Sequence, residues 1–134
     1  GELAEGQIWE ATMFAAHYKL DNLCIIVDIN GLQIDGRTCD VMNTEPVDAK
    51  FAAFGCDVVK VNGHDFQELE DAFAKFHANH GTGKPTAILM KTTKGKGVSY
   101  MENQAGWHGK APNDQEYEQA MGELKAQLAE VEGM

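Results

Sequence analysis

Three short apolar runs constrain this chain more than any other feature: LCIIV at 23–27, DVVKV at 57–61 and TAILMKT at 86–92. Each is too short for a buried helix and has the aliphatic, β-branched character of strands covered by other elements. Helical patterns fill the intervals. Phe66, Leu69, Phe73 and Phe76 recur at spacings of three and four, which predicts an amphipathic helix over 66–79 with Asp65 as its N-cap. PVDAKFAAFG at 46–55 carries proline at a helix start and glycine at its stop. Residues 5–19 read as a helix whose apolar positions, including Ile8, Trp9, Met13 and Phe14, form a stripe broad enough to be buried against a sheet, and 114–131 read as a last amphipathic helix. Strands joined by segments of crossover length, without tight hairpins, pair in parallel. The expected fold class is therefore α/β, a parallel sheet flanked by helices, with 23–27 as a central strand covered on both faces.

That architecture decides how to read IIVDINGLQIDG at 25–36. Asn-Gly between apolar residues is a strong hairpin signal. In an open parallel sheet, however, the strand end faces the edge where ligands bind. Asp28 and Asn30 would then offer oxygen donors to a hard divalent cation such as Mg²⁺, which keeps phosphate and water in the rest of its shell. Turn formation is the competing role for such residues. His108, in the glycine-bounded loop GWHGK, is the candidate for direct chemistry, because histidine suits proton transfer or hydrogen bonding to an anion near neutral pH.

The remaining motifs carry less. His77 and His80 lie three apart on a helix without a third ligand near in sequence, His17 reads as packed in the first helix, and His64 sits in a polar loop. GTGKP at 81–85 is not a phosphate-binding P-loop, since Pro85 stands where serine or threonine is needed. Lys94, Lys96 and Lys110 flank a glycine-rich loop, either solvated or attracting a phosphorylated ligand.

The 134 residues, 43% of them hydrophobic, suffice for one domain, and a formal net charge of −10 argues against nucleic acid or anionic membranes as partners. No apolar run approaches the ~20 residues of a membrane helix, and no signal peptide opens the chain, so a cytoplasmic location is expected. The three cysteines form no C-x-x-C and read as reduced, mostly buried thiols. Gly1 leads almost directly into a helix, which suggests that an upstream part precedes it.

GELAEGQIWEA at 1–11 and LCIIVDINGLQIDG at 23–36, followed by KPTAILMKTTKGKG at 84–97 and GWHGKAP at 106–112, resemble four ordered motifs of the transketolases. The resemblance is greatest to the N-terminal subunits of transketolases whose halves are separate polypeptides. It implies the C-terminal portion of a diphosphate-binding domain, of flavodoxin- or Rossmann-like shape. It also implies transfer of two-carbon ketol units between sugar phosphates with thiamine diphosphate and Mg²⁺, or Ca²⁺ or Mn²⁺ in its place. Residue by residue, Asn30 and the Leu32 carbonyl match metal ligands. Gly1 and Glu2 match the backbone beside the diphosphate, Ile34 an apolar residue near the cofactor ring, and His108 a histidine beside the diphosphate and the substrate path. Glu5 and Glu10 match acidic residues of a subunit interface. The family's metal-binding aspartate would fall before Gly1, and its activating glutamate lies in a pyrimidine-binding, C-terminal domain or subunit, so the implied assembly is a homodimer or heterotetramer and the chain alone would be inactive. A deoxyxylulose phosphate synthase or dihydroxyacetone synthase would share the metal motif, and a non-catalytic flavodoxin-like binding module would share the fold.

Overall fold

The computed structural model describes residues 1–133. After a 3-10 turn at Glu2–Ala4 the chain forms α1 (Gly6–His17), β1 (Cys24–Ile29), β2 (Leu32–Gln33), β3 (Gly36–Arg37) and α2 (Thr38–Val41). It continues through α3 (Val47–Ala53), β4 (Asp57–Asn62), α4 (Phe66–Ala78) and β5 (Thr86–Lys91) to a 3-10 turn at Ala105–His108 and α5 (Asp114–Glu132).

The main sheet is parallel, in the order β1-β5-β4. This bears out the α/β reading and corrects its detail. The central strand is β5, whose Thr86, Ala87, Ile88 and Leu89 are all buried, whereas β1 lies at the edge and leaves Ile26 50% exposed. An apolar run reports that a strand touches a core, not which neighbours it has. A second correction concerns hairpins. β2 and β3 pair antiparallel, Leu32 with Arg37 and Gln33 with Gly36, so a tight hairpin does follow β1. Its tip is Ile34-Asp35 rather than Asn30-Gly31.

Helices cover both faces. On one, Val27, Ala87 and Leu89 of the sheet meet Val47 and the fully buried Phe51 of α3, and Trp9 of α1 stacks its ring 5.2 Å from Phe51 and 5.7 Å from Phe54. The Trp9 indole N–H donates to the Leu3 carbonyl at 3.0 Å, which ties the first turn of the chain to this core. On the other face Val59 and Ile88 pack against Ala72 of α4. α4 begins as expected, with the Asp65 side chain accepting from the amides of Gln67 and Glu68. Burial pushes the Cys56 thiol up to about 11, and Cys24 is half-buried, but Cys39 is exposed.

α1 is less buried than its stripe predicts. Only Thr12 and Ala15 are buried, while Met13, Phe14 and Tyr18 are each more than half exposed. The narrow contact arises because β1, at the sheet edge, offers little surface beyond Trp9 and Ala15. His17 is likewise exposed, edge-on to Tyr18, not packed inside the helix. Among the described residues no helix is long and apolar enough to cross a membrane.

At the amino ends of the strands, one Asp21 oxygen accepts from the amides of Gly81 at 2.8 Å and Gly83 at 2.9 Å, which joins the α1–β1 and α4–β5 connections. The Gly83 and Gly81 amides hold this carboxyl below its ordinary range. A carboxyl depressed by folding contributes stability that is present above its unfolded value, about 3.9, and is lost as pH falls through the folded one. Asp21→Ala should therefore lower the melting temperature at pH 7, and thermal unfolding followed from pH 7 to pH 2.5 should show its gap from the parent closing below about pH 4.

Candidate functional site

Ile29, Lys91 and Asn62, the last residues of β1, β5 and β4, are aligned with one another across the sheet. Three chain segments therefore leave the carboxyl edge side by side, and beyond the β1 side of that edge lies a cleft of about 630 Å³. Gly1 and Glu2 line it from the first turn, Asn30, Leu32 and Ile34 from the β1 exit and hairpin, and His108 from the far loop. Residues spread over most of the chain thus face one space. Glu5 and Glu10 do not belong to that lining: Glu5 is the N-cap position of α1, without a side-chain capping bond, and both are exposed.

Asn30 is engaged on both ends of its amide. Its Oδ1 accepts from the Leu32 amide at 2.9 Å, and its Nδ2 donates to Asp28 Oδ2 at 3.3 Å. The other Asp28 oxygen accepts from the Thr92 hydroxyl. The turn-forming role is thus present, and it does not exclude a ligand role, because an amide oxygen carries two lone pairs and only one is used here. Among the described residues no group of three or more His, Cys, Asp or Glu side chains converges. A transition-metal site is poorly served by such a donor set. A hard cation sharing its shell with a ligand's phosphates fits better, since one amide oxygen, a backbone carbonyl and the nearby Asp28 carboxylate are the oxygen donors such an ion accepts.

The loop bearing His108 is moored from below. The Trp107 indole N–H donates to the Tyr100 carbonyl at 3.1 Å, with the two rings 5.1 Å apart. Lys110 places its ammonium 4.1 Å over the Trp107 ring and 2.7 Å from Glu116 Oε1, and that lysine holds the Glu116 carboxyl below its ordinary range. Glu116 also closes a capping box with Asn113 at the start of α5. His108 itself is exposed, so it is free to meet a ligand.

The three lysines of this region part company. Lys110 is paired with Glu116, and Lys96 with Glu102 at 3.7 Å. Lys94 forms no ion pair among the described residues, is half-buried, and lines the cleft. Sequence reasoning did not separate it from the others; the available signal is that the two paired lysines each have a glutamate six residues on and Lys94 has none. Thr38, Thr44 and Glu45 also line the cleft and went unnoticed, because they follow the hairpin in segments without periodicity. His77 and His80 contact each other edge-on at 6.1 Å beside Phe76, away from the cleft lining.

A parallel α/β sheet whose carboxyl edge opens onto a cleft with oxygen donors, an unpaired lysine and an exposed histidine defines a domain that binds a phosphorylated cofactor. The chain belongs to the transketolase family: residues 1–129 match its thiamine diphosphate binding domain. It is 46% identical over 93% of its length to one subunit of the apulose-4-phosphate transketolase of Actinobacillus succinogenes, covering 44% of that protein. It is 40% identical over 96% of its length to a 6-deoxy-6-sulfo-D-fructose transketolase subunit of Clostridium sp., covering 46% of it. The chain thus spans less than half the length of these curated relatives. Among solved structures, the transketolase of Campylobacter jejuni matches with a TM-score of 0.80 and 34% identity, over 90% of this chain and 18% of that one. Homologues named as single subunits of split transketolases agree with the resemblance seen in the motifs and imply a partner subunit.

Gly95 closes the cleft loop. Its φ is +72°, and a Cβ there would lie 2.6 Å from the Met101 carbonyl oxygen, a backbone atom that cannot turn aside. Gly95→Ala should cost on the order of 1–3 kcal/mol of stability, read as a lower denaturation midpoint, with faster amide exchange across residues 94–108.

Proposed function

We propose that residues 1–134 are the C-terminal portion of a thiamine diphosphate-binding domain, and that the whole enzyme moves two-carbon ketol units between anionic sugars. The observation that supports this best is the convergence of Gly1, Asn30, Leu32, Ile34 and His108 on one cleft at the carboxyl edge of the sheet. The names of two relatives, which carry a sugar phosphate and a sulfo-sugar, support an anionic ketose as the substrate class. In this reading the cofactor, when bound, supplies the carbanion chemistry. The chain's own residues bind and orient. Asn30 Oδ1 and the Leu32 carbonyl hold a divalent cation, Mg²⁺ being the ion their hard oxygens suit. The backbone at Gly1 and Glu2 lies against the diphosphate, Lys94 adds a compact positive charge on the same side, and Ile34 gives the ring an apolar wall. His108 hydrogen-bonds the ligand or moves a proton at its exposed ring.

A partner domain or subunit supplies the pyrimidine side of the site, and Glu5 and Glu10, exposed on the first turns of α1, belong to the surface that meets it. Alone, the chain should not turn over substrate.

In the assembled enzyme, Asn30→Ala should raise the Mg²⁺ and the thiamine diphosphate needed for half-maximal activity together, since each binds through the other. Asn30→Asp should be milder. A two-way titration of activity against both components tests this, and an Asn30→Ala variant with unchanged requirements but a lower melting temperature would return Asn30 to its turn role alone. His108→Ala should lower kcat by about 10²-fold with little change in melting temperature, measured by steady-state kinetics beside thermal unfolding.

A further inference from the structure

His64 stands outside the cleft, in the loop between β4 and α4, yet its ring reaches the segment that carries Lys94. Its Nε2 accepts a hydrogen bond from the Thr93 amide at 2.8 Å. A ring nitrogen that accepts carries no proton. The mount of the ring is firm. The Gly63 amide donates to the Lys91 carbonyl at 2.9 Å, and the His64 amide donates to Asn62 Oδ1 at 3.1 Å. A Cβ on Gly63 would lie 2.6 Å from Thr92 Cγ2 and 3.0 Å from Met90 Cβ, so only glycine lets this loop lie so close to the β5 exit. Asp65, the next residue, caps α4 and anchors the other side.

On the far side of Thr93 the contacts continue into the candidate cation turn. Thr92 donates its hydroxyl to Asp28, Asp28 accepts from the Asn30 amide group at 3.3 Å, and Asn30 accepts from the Leu32 amide at 2.9 Å. The chain after Thr93 is Lys94, the cleft's unpaired cation. One histidine therefore braces a segment with Lys94 on one side and the Asp28–Asn30 turn on the other.

Building on the cofactor reading above, we infer that His64 is a positioning residue for the diphosphate end of the cleft: by accepting the Thr93 amide it fixes the β5 exit, and through it the placement of Lys94. A lysine is a compact charge on a flexible stem, so its contribution to an anion depends on where its backbone is held. His64 touches no ligand in this scheme.

The test uses the full-length protein and reads the affinity for thiamine diphosphate with Mg²⁺ by calorimetry, beside amide exchange at residues 92–95 without cofactor. His64→Ala should loosen binding by about tenfold, the size of one lost intramolecular hydrogen bond, and speed exchange at 92–95. His64→Gln, whose side-chain oxygen can take the place of Nε2, should restore both. In a Lys94→Ala background, His64→Ala should weaken binding no further, because the effect runs through that lysine. Equal binding by His64→Ala and the parent, failure of His64→Gln to restore it, or additive losses with Lys94→Ala would each overturn the inference. A parent protein that fails to bind the cofactor would overturn the cofactor reading and this inference with it, a result distinct from a parent that binds and a His64→Ala variant that binds equally well.

Discussion

The two ladders of β5 set the geometry on which everything else depends. The same six residues pair on both sides, Thr86 with Cys24 and Asp57 at one end and Lys91 with Ile29 and Asn62 at the other. A common register makes the three strands end level, and level ends bring the segments after them to one edge. The register is protected by burial, since a slip of one residue would turn Ala87 and Leu89 to the face now held by Ile88. It is also protected at its start, where Asn79 donates to the Lys84 carbonyl at 2.7 Å and to the buried Thr86 hydroxyl at 2.9 Å. The helix that precedes β5 thus sets the point at which the strand enters the sheet.

The cleft works against the chain's own charge. A molecule with a formal net charge of −10 repels a diphosphate at long range, so attraction has to be local. Two of the three lysines near the cleft loop are neutralised by Glu102 and Glu116, and their work is structural: they tie the loop to itself and to α5. Lys94 is left for the ligand side. A divalent cation would add what a single lysine cannot, which explains why neutral oxygen donors suit the β1 exit better than further carboxylates would.

Much of this was legible in the residues. Local signals reported local facts well: Asp65 as a cap, Phe66 to Phe76 as a helix stripe, TAILMK as a buried strand, Asn30 and His108 as loop residues in positions to face a ligand. What escaped was relational. LCIIV and TAILMK carry the same apolar character, and only pairing reveals that one is an edge and the other the centre. The stripe on α1 was overread for the same cause, because hydrophobicity states a need for cover without naming what gives it. The hairpin at 32–37 was missed because its strands are two residues long, shorter than any alternating pattern. Lys94 and His64 looked like solvated loop residues, since an unpaired charge and an accepting ring nitrogen exist only once distant segments meet.

The strand order also has a temporal side. β1 is made first but pairs only with β5, about 60 residues later in the chain, so it has no partner in the main sheet while α1 to α4 emerge. At typical synthesis rates of 5–20 residues per second, that interval lasts roughly 3–12 s. During it a run of Ile25, Ile26 and Val27 waits beside an open backbone edge, the kind of segment that other nascent chains can pair with. β4 waits less, because β5 follows it after a single helix, so the right half of the sheet can close as a unit and β1 joins a template already built.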